Sequence, residues 1–267
     1  MKRKRALLAV AAVALSAALA ACSGANNSTT SGTTATSAAQ KGGTLTILYS
    51  QTNYPGLDPA LSWSLETTLS GLTFRRLTTW KIGPTGTPQV VPDLATSDGT
   101  PSDGGRVWTY HLKSGIYFSN GQPITSYDIK YGIERTYAPA LSGGLNYQKP
   151  LIAGTAGYTG PFSGKQLSSV VTPNATTIVF HLNKPYGDWP WVVSTTSMAP
   201  VPAGKAPAAT FGKDPVTSGP YAVQSYTPGV SMVLVRNKYW TTASDQNRTA
   251  GPNEIIVKLN QDPTVEA

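Results

Sequence analysis

Residues 106–137 read RVWTYHLKSGIYFSNGQPITSYDIKYGIERTY, and they spell a strand, a turn and a helix in succession. The opening alternates strictly. Trp108, Tyr110 and Leu112 share one face, while Val107, Thr109, His111 and Lys113 share the other. That period of two is the pattern of a strand with one face buried. Ser119-Asn120-Gly121 has turn chemistry. Thr125-Ser126-Tyr127-Asp128 opens a helix of about a dozen residues, with Thr125 as cap and Asp128 as its acidic partner in the first turn. Ile129, Ile133 and Tyr137 then give that helix an apolar stripe at a spacing of four.

Working outward, residues 44–49 alternate Leu45 and Ile47 against threonines and predict a strand. Leu57-Asp58-Pro59 predicts a helix start, because Asp58 can cap and Pro59 fits a first position whose N–H has no partner. We expect that helix to reach Phe74. Gly83-Pro84-Thr85-Gly86 is a turn. Residues 139–166 are glycine-rich loop, 176–182 a strand, and 221–223 with 232–235 a hairpin about Pro228-Gly229. Residues 254–259 close the series as a strand with Ile255, Val257 and Leu259 on one face. Asp262-Pro263-Thr264-Val265-Glu266 repeats the helix-start chemistry of Asp58-Pro59, and the sequence stops one residue later. The expectation is a fold cut within a helix.

The amino terminus has its own logic. Lys2-Arg3-Lys4-Arg5 precedes an apolar run whose only polar member is Ser16, and the run ends in Leu19-Ala20-Ala21-Cys22. A basic end, an apolar middle and small residues before a cleavage point make a secretory signal. The run is shorter than the roughly 18–20 residues of a membrane span. Leu-Ala-Ala-Cys resembles the bacterial lipobox, which implies lipidation of Cys22 and anchoring outside the cytoplasm. Residues 23–41 hold Ser, Thr, Ala, Gly and Asn with no large apolar side chain, as expected of a flexible tether.

Composition excludes several classes of chemistry. The net charge of +8 includes the four bases of residues 1–21, and without them 17 bases face 13 acids. The bases are scattered, so nucleic acid is not an expected partner. Cys22 is the only cysteine, so no intrachain disulfide can form. The two histidines, His111 and His181, lie on strands opposite the large apolar residues, as solvent-facing positions do. No zinc-ligand spacing, nucleophile elbow, Walker loop or dinucleotide fingerprint is present. We expect no metal, no cofactor and no enzyme. An extracytoplasmic hydrolase with an unrecognised carboxylate pair is the third-ranked alternative. Among the aromatics, Trp108 reads as core, Trp240 as packing, and Trp63, which sits among serines, as the candidate to face a ligand.

Residues 106–137 also resemble a signature of the family 5 solute-binding proteins, the peptide-binding receptors of ATP-binding-cassette importers. Leu-Lys, Phe-Ser-Asn-Gly-Gln-Pro and Thr-Ser-Tyr-Asp occur in the family's order and spacing. Further matches are Gly42-Gly43-Thr44-Leu45, Leu57-Asp58-Pro59, Val91-Pro92-Asp93-Leu94-Ala95, Thr217-Ser218-Gly219-Pro220-Tyr221 and Arg236-Asn237-Lys238-Tyr239-Trp240. Ser218 departs from the usual glycine and is read as a tolerated small residue.

The resemblance implies an α/β fold of the periplasmic-binding-protein type, class II: two lobes about a cleft, with a β-rich domain inserted in the first. It implies a signal at 1–21, a tether at 22–41, a first lobe from 42–75 and 195–262, an inserted domain at 76–194, and the start of a second lobe, otherwise missing, at 263–267. It implies a monomer that binds peptide or another small solute and delivers it to permease subunits, held to the membrane through Cys22. The ligand's chemical identity stays open between peptide, metal chelate and sugar. Tyr54, Ser62, Trp63 and Ser64 are the candidate ligand contacts; Ser218-Gly219-Pro220 is the turn expected to be structural. The alternative is a truncated fragment that binds nothing tightly.

Overall fold

The computed structural model describes residues 41–50, 57–63 and 65–262. The expected signal, Cys22 and nearly all of the tether lie outside these residues, as do Tyr54, Ser64 and residues 263–267. The strands in chain order are β1 (Thr44–Leu48), β2 (Thr78–Ile82), β3 (Pro88–Pro92), β4 (Thr100–Ser102), β5 (Val107–His111), β6 (Val170–Asn174), β7 (Thr177–His181), β8 (Tyr221–Thr227), β9 (Ser231–Arg236) and β10 (Glu254–Lys258). The helices are α1 (Leu65–Thr73), α2 (Ser126–Arg135) and the single turn α3 (Trp189–Val192).

One sheet has the order β1-β10-β9-β8. β1 runs parallel to β10, with Leu45 opposite Ile255, while the other pairs are antiparallel. Residues 49–220 therefore lie between β1 and the rest of its own sheet. A second, fully antiparallel sheet has the order β4-β5-β7-β6, and β2 pairs with β3 separately.

Alternation decides which side of each sheet is covered. Trp108, Tyr110 and Leu112 are buried while His111 is exposed, and Ile178 and Phe180 repeat the pattern beside exposed His181. These side chains join Ile129, Ile133 and Trp189 in one hydrophobic cluster. Ile255 and Val257 join Leu69, Phe74, Leu234 and Phe211 in another. The chain passes between the clusters twice. Phe74 belongs to one and Leu77 to the other; Met198 and Ala199 divide in the same way.

Helix α2 forms as its sequence predicts. The Asp128 carboxylate accepts the Thr125 backbone N–H at 2.8 Å and the Thr125 hydroxyl at 2.6 Å. Its buried face includes Gly132, which packs against the Ala199 carbonyl so closely that a β-carbon would collide with it.

The predicted helix from Asp58 to Phe74 is instead two pieces. Asp58 does cap, accepting the Ala60 N–H at 3.0 Å, but the turn it opens is a short 3-10 helix, Pro59–Leu61. Ser62 is extended, at φ −66° and ψ 124°. Its carbonyl accepts the Leu145 N–H at 3.1 Å instead of serving a helical partner. The helix resumes at Leu65. A long-range bond from the loop thus overrides local helix propensity.

Candidate functional site

The first passage of the chain, from α1 into β2, builds the site. Gly219 and Ser218 donate their N–H groups to the Thr73 carbonyl, and the Ser218 hydroxyl accepts the Arg75 N–H at 2.8 Å. Gly219 fits because a β-carbon there would strike the Leu72 carbonyl. The turn expected to be structural makes these contacts, and Ser218 contributes an acceptor that the glycine expected there would lack.

That turn ends α1 just before two buried arginines. Arg75 Nε donates to Asp93 Oδ1 at 2.8 Å, and its Nη2 reaches the Asp93 and Ser244 carbonyls. Arg248 donates Nη2 to Asp93 Oδ2 at 2.8 Å, Nη1 to Asp245 Oδ2 at 3.0 Å and Nε to the Gly71 carbonyl at 2.7 Å. Trp240 Nε1 donates to the same Asp245 oxygen, so Trp240 packs as its sequence suggests. Burial alone would raise the Asp93 pKa. The guanidiniums of Arg248 and Arg75 outweigh it and hold the carboxyl down at about 2.

Arg76 differs from its neighbours. Its Nε donates to the Ser194 carbonyl at 2.9 Å, and its Nη1 to the carbonyls of Phe74 and Ser70 at 3.0 and 3.3 Å. It forms no ion pair among the described residues. Burial first, and the adjacent charge of Arg248 second, pull its pKa down to about 10 despite Asp93 and Asp245. It remains cationic at neutral pH.

Arg76 lines a cavity of about 510 Å³ together with Leu72, Thr79, Trp80, Leu145 and Arg248. A second cavity of about 510 Å³ shares Trp80, Ser194 and Thr195 with it. The second is aromatic: Tyr147, Tyr186 and Trp191 join Trp80 there. Trp80 is 51% exposed, Trp191 40% and Tyr147 56%. Large, partly exposed aromatics around a concavity suit a ligand that is apolar at one end and polar at the other.

The sequence-predicted contacts divide. Tyr54 and Ser64 lie outside the described residues. Ser62 is buried, with Oγ 3.3 Å from Ser70 Oγ, and is part of the internal scaffold. Trp63 is 65% exposed. Leu145, bonded to the Ser62 carbonyl, lines the Arg76 cavity, but neither Ser62 nor Trp63 lines that cavity or the aromatic one. Sequence reading missed Arg76, Trp80, Tyr147 and Trp191. Alternation in the sequence would have buried Trp80 with Ile82, so it gave no signal for this site. In TTWKI the threonines Thr78 and Thr79 are the buried residues, while Trp80 and Ile82 are exposed.

Among the described residues, no group of three or more His, Cys, Asp or Glu could hold a metal ion, and no helix is long and apolar enough to cross a membrane. No His, Cys, Asp or Glu is among the described residues that line these two cavities.

Comparison with known proteins agrees with the fold. A solved structure of clavulanic acid biosynthesis oligopeptide binding protein 2 superposes with a TM-score of 0.78 at 37% identity, covering 84% of this chain and 41% of that one. The structure of Listeria monocytogenes OppA bound to peptide gives a TM-score of 0.67 at 18% identity, covering 84% of this chain and 44% of that one. The oligopeptide-binding protein OppA of Bacillus subtilis is 26% identical over 220 residues, which is 79% of this chain and 38% of that protein. The chain thus spans well under half the length of each of these proteins. These are class II periplasmic-binding folds, as the sequence implied. The sequence model for bacterial extracellular solute-binding proteins, family 5 Middle, matches residues 89–267, and the chain belongs to that family.

Proposed function

We propose that this chain is part of the substrate-binding component of an ATP-binding-cassette importer. It captures peptides or similar small solutes outside the membrane and delivers them to permease subunits. The observation that carries this reading is the pair of adjoining cavities, one cationic and one aromatic. They occur on a fold whose similar structures include proteins described as oligopeptide-binding. In this reading residues 42–75 and 195–262 make one lobe and residues 76–194 an inserted domain. Passage of the chain between two hydrophobic clusters near 74–77 and 198–199 supports that division. Trp63 contacts ligand, and lipidated Cys22 tethers the monomer to the outer face of the cell membrane.

Thermal unfolding with and without a pool of tri- to pentapeptides tests the reading. A ligand at 100 times its Kd stabilises the native state by about 2.7 kcal/mol, so a saturable rise in Tm is expected. A single sharp transition that no peptide shifts would refute peptide capture by this chain.

A further inference from the structure

A count of charges and donors singles out one group in the wall. Arg75, Arg76 and Arg248 are buried with two carboxylates, Asp93 and Asp245. Among these five groups cations exceed carboxylates by one, and Lys113 lies within electrostatic reach of the same two carboxylates. A guanidinium has five N–H donors. All three nitrogens of Arg75 and all three of Arg248 find acceptors, and each of these arginines meets both carboxylates. Arg76 bonds through Nε and Nη1 to neutral carbonyls alone. Its Nη2 has no acceptor among the described residues. The described side-chain atoms that are sealed from solvent without a partner are Tyr110 Oη, Tyr137 Oη and Trp189 Nε1. Nη2 is therefore not sealed, although Arg76 as a whole is only 5% exposed. The opening available to it is the cavity it lines.

A buried cation whose side chain bonds only to neutral carbonyls, with Nη2 unbonded among the described residues and a cavity against the side chain, suits an anion. The cavity wall is otherwise mainly apolar, and across the shared Trp80 and Thr195 it opens on the aromatic cavity of Tyr147, Tyr186 and Trp191. A carboxylate beside a large apolar or aromatic side chain would fill both.

We propose that Arg76 Nη2 binds a ligand carboxylate and that the adjoining aromatic cavity takes the neighbouring side chain, so that the preferred ligand is a peptide ending in an aromatic or large aliphatic residue. The assignment rests on the peptide-binding reading above. It adds to that reading the chemical class of the ligand's end and the residue that selects it.

The test is calorimetric titration of the full chain with three peptides: Gly-Gly-Phe, Gly-Gly-Phe amide and Gly-Asp-Phe amide. Removing a charge-assisted hydrogen bond in a desolvated site should weaken binding roughly 10- to 100-fold. The free acid is expected to bind that much more tightly than Gly-Gly-Phe amide, with Gly-Asp-Phe amide no better than the plain amide. The Arg76→Gln variant should erase the difference between acid and amide, and Arg76→Lys should restore part of it. If Arg76→Gln fails to fold, the acid–amide comparison on the unaltered chain and on Arg76→Lys still decides. Equal binding of acid and amide overturns the carboxylate subsite and leaves peptide binding standing. Tight binding of Gly-Asp-Phe amide overturns the terminal assignment in favour of a side-chain carboxylate. An acid preference that persists in Arg76→Gln overturns the role of Arg76. Binding of none of the three refutes the subsite. If the mixed pool still raises Tm, peptide binding survives without it.

Discussion

Replacing Asp93 with Asn should lower the stability of the chain by about 2–4 kcal/mol at pH 7. The side chain is fully buried. Oδ1 accepts Arg75 Nε at 2.8 Å, and Oδ2 accepts Arg248 Nη2 at 2.8 Å and the Arg76 N–H at 3.2 Å. Asn has nearly the same shape but one acceptor oxygen, so its amide must present N–H groups to one of two guanidiniums. The buried cluster would change from three arginines and two aspartates to three and one. Breaking a buried pair costs roughly 3–5 kcal/mol. Linkage gives a second figure. Lowering the carboxyl from 3.8 to about 2 corresponds to about 2 kcal/mol. The linkage figure is the better guide to the charge alone, because a protonated carboxyl, like Asn, keeps one acceptor. The sign follows from the depressed pKa. The stabilisation is fully present above pH 3.8 and is lost as pH falls through about 2. At pH 3 about 1 kcal/mol of it remains. Urea unfolding is the assay, since urea is uncharged and leaves ion pairs unscreened. The difference between the parent chain and Asp93→Asn should therefore shrink by about 1 kcal/mol between pH 7 and pH 3. An equal loss at both values would show that hydrogen-bond geometry, not charge, holds the cluster, and would refute the electrostatic reasoning.

Other consequences are as direct. Arg135 grips Asp58 through two nitrogens, at 3.1 and 2.7 Å, with Nε on the Ala206 carbonyl and its charge over the Phe211 ring. Arg135→Lys keeps the charge but loses the fork, and denaturant unfolding should register a loss of about 2–4 kcal/mol. Gly132→Ala would add about 1 kcal/mol of helix propensity at an open site. Here the collision with the Ala199 carbonyl should win, and a raised Tm would contradict that packing. Cys22→Ala should release the protein from the membrane fraction in cells, and unchanged fractionation would remove lipidation from the proposal.

Local pattern carried far into this fold. Strand faces, the Thr125–Asp128 cap and the Pro228-Gly229 hairpin all follow from neighbours within a few residues, where alternation and capping are decided. The exposed positions of His111 and His181 follow from the same alternation. The ordered motifs carried the family. The failures were non-local. The helix expected from Asp58 to Phe74 breaks because the Leu145 amide, far along the chain, takes the Ser62 carbonyl. Ser62, a candidate contact by its place after Leu57-Asp58-Pro59, turns inward to Ser70.

The sequence by itself determined the class of protein, the strands that alternate strictly and the lack of recognisable catalytic motifs, while β2, β3, β4 and β6 were not legible in it. What it determined depends on residue types at short spacing. Only the tertiary structure decided which charge was left over. Arg75 and Arg76 are adjacent and chemically identical, yet Asp93, Asp245 and Ser244 surround the first while carbonyls alone hold the second. Which arginine faces a cavity depends on where α1 ends, where residues 244–248 return, and how Trp80 turns outward from its strand. Electrostatic pairing is a property of positions in space, and no spacing along the chain encodes it.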